Sequence, residues 1–286
     1  YGLTEASTDI LLEKNADLVL TVDNGITAAR EIRRLNDAGI KTIVTDHHLA
    51  ETDLLPSGIV INPNHPKCKY SFKKISGCGV ALKLIMAVRK SLRKLNWWTP
   101  ERPEPNLRKN LDLVALGTVA DVVPLLDENR IITFHGLKVM NDKPRLAIQV
   151  LKKLKKVENI TSRTLAYQFA PLINAAGRLM DADIAVKFLL SNDMQEAEKI
   201  AIKLDATNTE RREKELEMIE IALKLSEDQK NNPALILVSP EFHEGINGIV
   251  ATRLVEKFYK PVLILSENGG KIKGSGRSIP ELNLKE

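Results

Sequence analysis

The chemically richest stretch of this 286-residue chain is Thr42-Ile43-Val44-Thr45-Asp46-His47-His48, an apolar β-branched run that ends abruptly in a carboxylate and two imidazoles. Such a run reads as a buried strand that delivers metal-binding or acid/base side chains at its C-terminal end. A twin run, Leu18-Val19-Leu20-Thr21-Val22, ends in Asp23-Asn24-Gly25, so a second carboxylate emerges at a strand end. A third, Asp121, stands in the apolar stretch Val119-Ala120-Asp121-Val122-Val123-Pro124. A buried Asp is costly unless paired or bound to a cation; the alternative is an N-cap or turn Asp. Three carboxylates beside a His pair favour the cation.

Two further stretches suit anions. In Pro171-Leu172-Ile173-Asn174-Ala175-Ala176-Gly177-Arg178, small residues between Asn174 and Arg178 would let backbone and guanidinium approach a phosphate; a tight helix-packing corner with an exposed Arg explains the pattern equally well. Lys271-Ile272-Lys273-Gly274-Ser275-Gly276-Arg277-Ser278 reads as a glycine-rich loop whose backbone N–H groups, Ser275 and Arg277 could hold a phosphate.

The elements that position these residues follow from periodicity. Residues 4–14 read as a helix capped by Thr4. Between the two apolar runs, Ile26 to Ala38 has helical spacing and Gly39 supplies its stop. The unit is therefore strand, helix, strand. A right-handed crossover makes the strands parallel neighbours and brings Asp23 and Asp46-His47-His48 to one sheet edge. Ile59–Ile61 is a third short strand, closed by Asn62-Pro63-Asn64. Helices are expected over Cys78–Leu95, with Gly77 and Gly79 allowing close approach at its start, and over Leu107–Thr118 and residues 145–156. From Asn192 a long helical pattern runs to Lys230. It is apolar toward both ends and polar from Asp205 to Glu215, as for a helix that connects two domains. A fresh α/β unit follows: a strand at 234–238, a helix at 246–257 opened by Gly245, and a strand at 261–265. The fold class is thus α/β, with a first domain at 1–190, a connecting helix at 191–232 and a smaller α/β domain at 233–286.

Hydrophobic content of 43% and charged content of 28% describe a globular chain long enough for two domains. No apolar run is long enough to span a bilayer, and no signal-peptide pattern opens the chain, so a cytoplasmic protein without a membrane partner is expected. Cys68 and Cys78 lack metal-ligand spacing and read as buried thiols. The net charge is +5, but Lys138 to Arg163 holds eight basic residues against Asp142 and Glu158, a local +6. With Arg89-Lys90 and Arg93-Lys94, this run is either a solvated helix face or a nucleic-acid surface. Trp97 and Trp98 read as packing residues.

Val22-Asp23-Asn24-Gly25-Ile26, Thr45-Asp46-His47-His48, Val119 to Leu125, Asn174-Ala175-Ala176-Gly177-Arg178 and Gly274 to Ser278 occur in the order seen in the DHH phosphoesterase superfamily. The chain resembles most its bacterial single-strand-specific 5′→3′ DNA exonucleases, and His243 to Ala251 resembles the start of their DHHA1 domain. The resemblance implies that Asp23, His47 and Asp121 are metal ligands, with Asp23 bridging two ions in the complete protein. Asp46 would orient the His ligand, His48 would contact the scissile phosphate, Asn174 and Arg178 would hold substrate phosphates, and Ser275 with Arg277 would grip the 5′-terminal nucleotide. Carboxylate and imidazole ligands together suit Mn²⁺, and Mg²⁺ less well. The implied substrate is single-stranded DNA with a 5′ end, cut to 5′-mononucleotides in repair and recombination. Single-strand-binding protein and a helicase are the implied partners. Backbone contacts would make cutting independent of sequence.

Departures from the family pattern shape further expectations. The family's first Asp-x-Asp motif, its Gly-Gly-His motif and its oligonucleotide-binding domain are not among these residues, so the sequence reads as a fragment with feeble activity or none on its own. Leu172 stands where an Arg is usual. Two other functions fit the motifs: a DHH phosphoesterase acting on oligoribonucleotides, nucleoside bisphosphates or cyclic dinucleotides, and a non-catalytic DHH scaffold.

Overall fold

The computed structural model describes residues 2–49 and 55–284. They form two compact units, residues 1–145 with 157–170 and residues 146–156 with 171–286.

In the first unit, strands β1 (Leu18–Val22), β2 (Lys41–Thr45) and β3 (Ile59–Ile61) make a three-stranded sheet in the order β1-β2-β3. All pairings are parallel, as the crossover rule requires. Val22 pairs with Thr45 and Thr45 with Ile61, so all three strands end level and hand the chain to Asp23, Asp46 and Asn62 at one edge. Helices α1 (Glu5–Glu13) and α2 (Ala29–Asp37) cover the sheet. Thr4 caps α1, as the sequence indicates. Ile32 and Leu35 of α2 are fully buried against Val44 and Val19. α2 starts three residues later than periodicity predicts, and the Ile26 N–H ahead of it donates to Asp46 Oδ2.

α3 (Gly77–Lys94), α4 (Leu111–Ala120) and α5 (Asp127–Asp142) pack through Leu82, Val114 and Ile132. Leu107–Asn110 is a 3₁₀ turn ahead of α4, so the single helix expected from Leu107 is in two parts. Two basic clusters are partly neutralised. Arg89 and Arg93 of α3 both pair with Glu104, and Arg145 pairs with the buried Asp112. Trp97 is half exposed, with the Arg102 guanidinium 3.8 Å from its ring centroid. Ser162–Thr164 (α7) leads into a π-helical turn at Leu165–Phe169.

The second unit is built on α10 (Met194–Ser226), a 33-residue helix about 50 Å long. Its first half packs on α6 (Leu146–Lys155) and α9 (Asp183–Leu190), and its second half on α11 (Glu244–Phe258) and β4 (Leu235–Ser239). The middle is wet on one face only, and its other face is buried despite its polarity. Thr207, Asn208 and Arg211 are buried, and Arg211 donates to Glu215 at 2.6 Å. On α6, Lys153 and Lys155 pair with Glu198 and Asp205 of α10. These contacts tie 146–156 and 171–232 to the C-terminal strands, so the compact units cut the chain elsewhere than the ranges 1–190, 191–232 and 233–286.

β4 and β5 (Val262–Asn268) are parallel, joined by α11. β6 (Lys271–Arg277) then pairs antiparallel with β5. The stretch 271–278 is therefore not a free glycine-rich loop. A Cβ at Gly274 would lie 2.1 Å from the Ile264 carbonyl oxygen, so glycine here serves close backbone approach within the sheet.

Candidate metal centre

Asp23 follows β1 with φ 63°, a left-handed conformation that Asp tolerates. One donor atom each from Asp23, His47 and His48 lies within 4.8 Å of the others. His47 Nε2 is 3.1 Å from Asp23 Oδ1 and 3.4 Å from Asp121 Oδ2. Asp23 Oδ1 and His47 Nε2 are both buried and, beyond their contact with each other, neither has a hydrogen-bond partner. Buried polar atoms this sparsely satisfied are costly, and converging carboxylate and imidazole donors of this kind fit a divalent cation.

Asp121 is the C-terminal cap of α4, with helical φ and ψ, and not an N-cap. A carboxylate at a helix C-terminus opposes the helix dipole, which a cation there would offset. Burial pushes the Asp121 carboxyl up, the nearby Asp23 adds to this, and His47 and His48 oppose it. The Asp23 carboxylate raises the His47 imidazole against burial, and the charges of Asp121, Asp23 and Asp46 add to the rise.

Asp46 is 1% exposed. Its Oδ1 lies 2.7 Å from His48 Nδ1 and accepts the N–H groups of His47 and His48, while Oδ2 accepts that of Ile26. Burial alone would raise its pKa, but the four hydrogen bonds outweigh burial and hold the carboxyl low. An ionised Asp46 can only accept, so His48 Nδ1 carries the proton and Nε2 is the nitrogen left to face a substrate. The ring that Asp46 holds is that of His48; of His47 it touches only the backbone.

The structure adds Asn62 and Asn64, which motif reading passed over as punctuation, and gives the close approach expected at Gly77 its partner. Asn62, 3% exposed, donates to the His48 carbonyl at 3.0 Å, and its Oδ1 accepts the Asn64 N–H at 2.7 Å. Asn64 donates to the His47 carbonyl at 2.6 Å. The turn closing β3 thus clamps the backbone of both histidines. At the start of α3, a Cβ on Gly77 would lie 2.2 Å from Asp23 Oδ1, so the absent side chain is the space the carboxylate occupies.

The second unit gathers the other site residues. Asn174 and Arg178 lie one turn apart on α8 (Ala170–Leu179), a continuous helix and not a corner. Leu172 is fully buried. Arg178 donates to the Gly245 carbonyl at 3.0 Å. Ser275 and Arg277, on β6, lie over Gly248 of α11, where a Cβ would be 3.0 Å from Arg277 Nη2 and 3.6 Å from Ser275 Oγ. Arg178, Thr252, Arg253 and Arg277 line a cavity of about 330 Å³. Burial weakens the Arg178 guanidinium's hold on its proton, as do Arg211 and Arg277, with Glu215 opposing. Cations crowded in this way favour an anion between them.

A family model, the DHH family N-terminal domain, matches residues 3–118. The chain is 39% identical over its whole length to the single-stranded-DNA-specific exonuclease RecJ of Haemophilus influenzae, and 37% identical to that of Bacillus subtilis. It covers 51% of the first and 35% of the second, and so spans about half and about a third of the length of these relatives. A crystal structure of exonuclease RecJ bound to manganese superposes with a TM-score of 0.82 at 32% identity, covering all of this chain and 69% of that one. RecJ from Thermus thermophilus in complex with Mn²⁺ gives 0.79 at 34%, covering 96% of this chain and 39% of that one. With the strand-end Asp23, the Asp46-His47-His48 triplet and Asp121 converging as described, the chain belongs to the DHH family, among its RecJ-type members.

Proposed function

We propose that this chain carries the metal-binding core of a 5′→3′ exonuclease that hydrolyses single-stranded DNA to 5′-mononucleotides. The observation that carries the reading is the pair of buried atoms Asp23 Oδ1 and His47 Nε2, 3.1 Å apart and with no other hydrogen-bond partner, with Asp121 beside them, in a chain similar to RecJ exonucleases.

Asp23, His47 and Asp121 would hold Mn²⁺, or Mg²⁺ less readily. Bound divalent ions supply a lowered water pKa and Lewis-acid stabilisation of phosphoryl oxygens. Asp46 fixes the tautomer and direction of His48, whose Nε2 then meets the scissile phosphate. Asn174 and Arg178, with Ser275 and Arg277 at the 5′ end, bind phosphate oxygens through N–H and O–H donors, which carry no sequence information. We assign residues 233–286 to a DHHA1 domain. Single-strand-binding protein and a helicase are the partners this activity calls for, in the cytoplasm; among the described residues no helix is long and apolar enough to cross a membrane.

The test is release of mononucleotides from a 5′-phosphorylated single strand with Mn²⁺, against blunt duplex, by the full-length protein and its His47→Ala variant. Digestion of the single strand alone, abolished by the substitution, is expected. Preference for dinucleotides in a length series would move the assignment to a small-substrate phosphoesterase. Failure of the full-length protein to bind Mn²⁺ would leave a scaffold. Three protein ligands under-fill two ions, so this chain by itself should turn over feebly.

A further inference from the structure

Beside Asp121 lies an apolar surface that the residue roles above leave unused. Val122 is 86% exposed and has φ 57°, a conformation that a β-branched residue enters only under strain. Leu126 is 58% exposed and Leu125 37%. Facing this loop is Tyr167, 70% exposed, in the middle of the π-helical turn. Leu165 and Phe169 on either side of it are fully buried, so the turn is anchored and the Tyr167 ring stands out from a fixed base. Single π-turns of this kind recur at functional sites. Val122, Val123, Leu125, Arg163, Ala166 and Tyr167 line a cavity of about 490 Å³, a volume within the range of small-molecule sites.

We propose that this cavity is a nucleobase-binding site, in which Tyr167 stacks on a base of the strand whose phosphate lies at the metal centre. The proposal rests on the nuclease reading and extends it from the phosphates to the bases. Three features select this occupant. The shelf is continuous with Asp121, a ligand of the centre that would hold the phosphate. An aromatic face over an aliphatic floor matches the π-face and edge of a base. Arg163, exposed at the rim, supplies a cation for the adjoining phosphate. Because stacking uses the π-face that every base has, the site should accept every base, in keeping with a nuclease that does not read sequence.

The experiment compares binding of a 5′-phosphorylated thymidine strand with that of an abasic strand of the same length and charge, by fluorescence anisotropy in EDTA at low salt. The strand with bases should bind about tenfold more tightly. Tyr167→Ala should bring the ratio close to one, and Tyr167→Phe, which keeps the ring, should preserve it. A ratio that survives Tyr167→Ala overturns the base site and leaves the nuclease reading intact. Absence of binding to either strand overturns the base site, while the nuclease reading, whose hold on phosphate includes the cation that EDTA removes, is decided by the digestion with Mn²⁺. A ratio near one in the parent chain, with self-association in sedimentation that Tyr167→Ala abolishes, would give the shelf to a second copy of the chain and likewise overturn the proposal.

Discussion

Gly77 and Asp23, on α3 and at the end of β1, share one space: a Cβ on the first would lie 2.2 Å from Oδ1 and 2.6 Å from Cβ of the second. Side-chain rotation cannot clear a clash that reaches Asp23 Cβ. Gly77→Ala should therefore displace the carboxylate and lower Mn²⁺ affinity about 10- to 100-fold, while far-UV circular dichroism stays that of the parent. Isothermal titration with Mn²⁺ reads the effect; parental affinity would refute the shared-space argument.

Asn62 should matter through geometry it never contributes to chemically. Asn62→Ala removes the donor to the His48 carbonyl and the acceptor of the Asn64 N–H from a buried position. The cost to stability should be about 1–3 kcal/mol. Mn²⁺ affinity should fall as well, because both histidines lose their backbone clamp. Asn62→Asp, which keeps the acceptor, should recover only the part owed to Asn64.

The pH dependence of the metal-free chain follows from two opposite shifts. Asp46 is held below its ordinary value, so its contribution is fully present above about pH 4 and is lost as the pH falls through the folded value. Asp46→Asn should show a stability deficit that is constant near neutrality and shrinks in acid. His47 is raised, so its contribution is fully present below about pH 6.5 and is lost as the pH rises through the folded value. Urea midpoints across the pH range measure both. Since the metal needs the neutral ring, Mn²⁺ affinity should fall as the pH drops through the raised His47 value.

Arg145 donates through Nε and Nη2 to the carboxylate of Asp112 at 2.5 and 2.8 Å, and Asp112 is 1% exposed. Arg145→Met would leave that charge buried and should cost about 3–5 kcal/mol. The double replacement Asp112→Leu/Arg145→Met should cost less than the single one. Trp97 and Trp98 both lie in the first unit, so tryptophan fluorescence follows its unfolding.

Much of the first unit was legible from local chemistry. Apolar β-branched runs ending in Asp23 and in Asp46-His47-His48, with Gly39 stopping the intervening helix, left a right-handed crossover as the way to join parallel neighbours. From that, the common sheet edge follows. In the second unit the same logic placed β4, α11 and β5. It failed at Lys271–Arg277, because glycines needed for close packing against the Ile264 carbonyl look the same in sequence as glycines of a free loop. It failed again at the middle of α10, where Asn208, Arg211 and Glu215 satisfy one another and so can be buried despite their polarity.

The sequence by itself determined which residues reach the strand ends, since apolar β-branched runs and glycine stops are local properties of the chain. Only the tertiary structure decided that Asp121, far along the chain, comes within 3.4 Å of His47, that Asp46 holds the ring of His48, and that Gly77 is the room in which Asp23 lies. Those relations depend on how helices seat on a sheet edge. Seating is set by the summed packing of distant side chains, which no local pattern encodes.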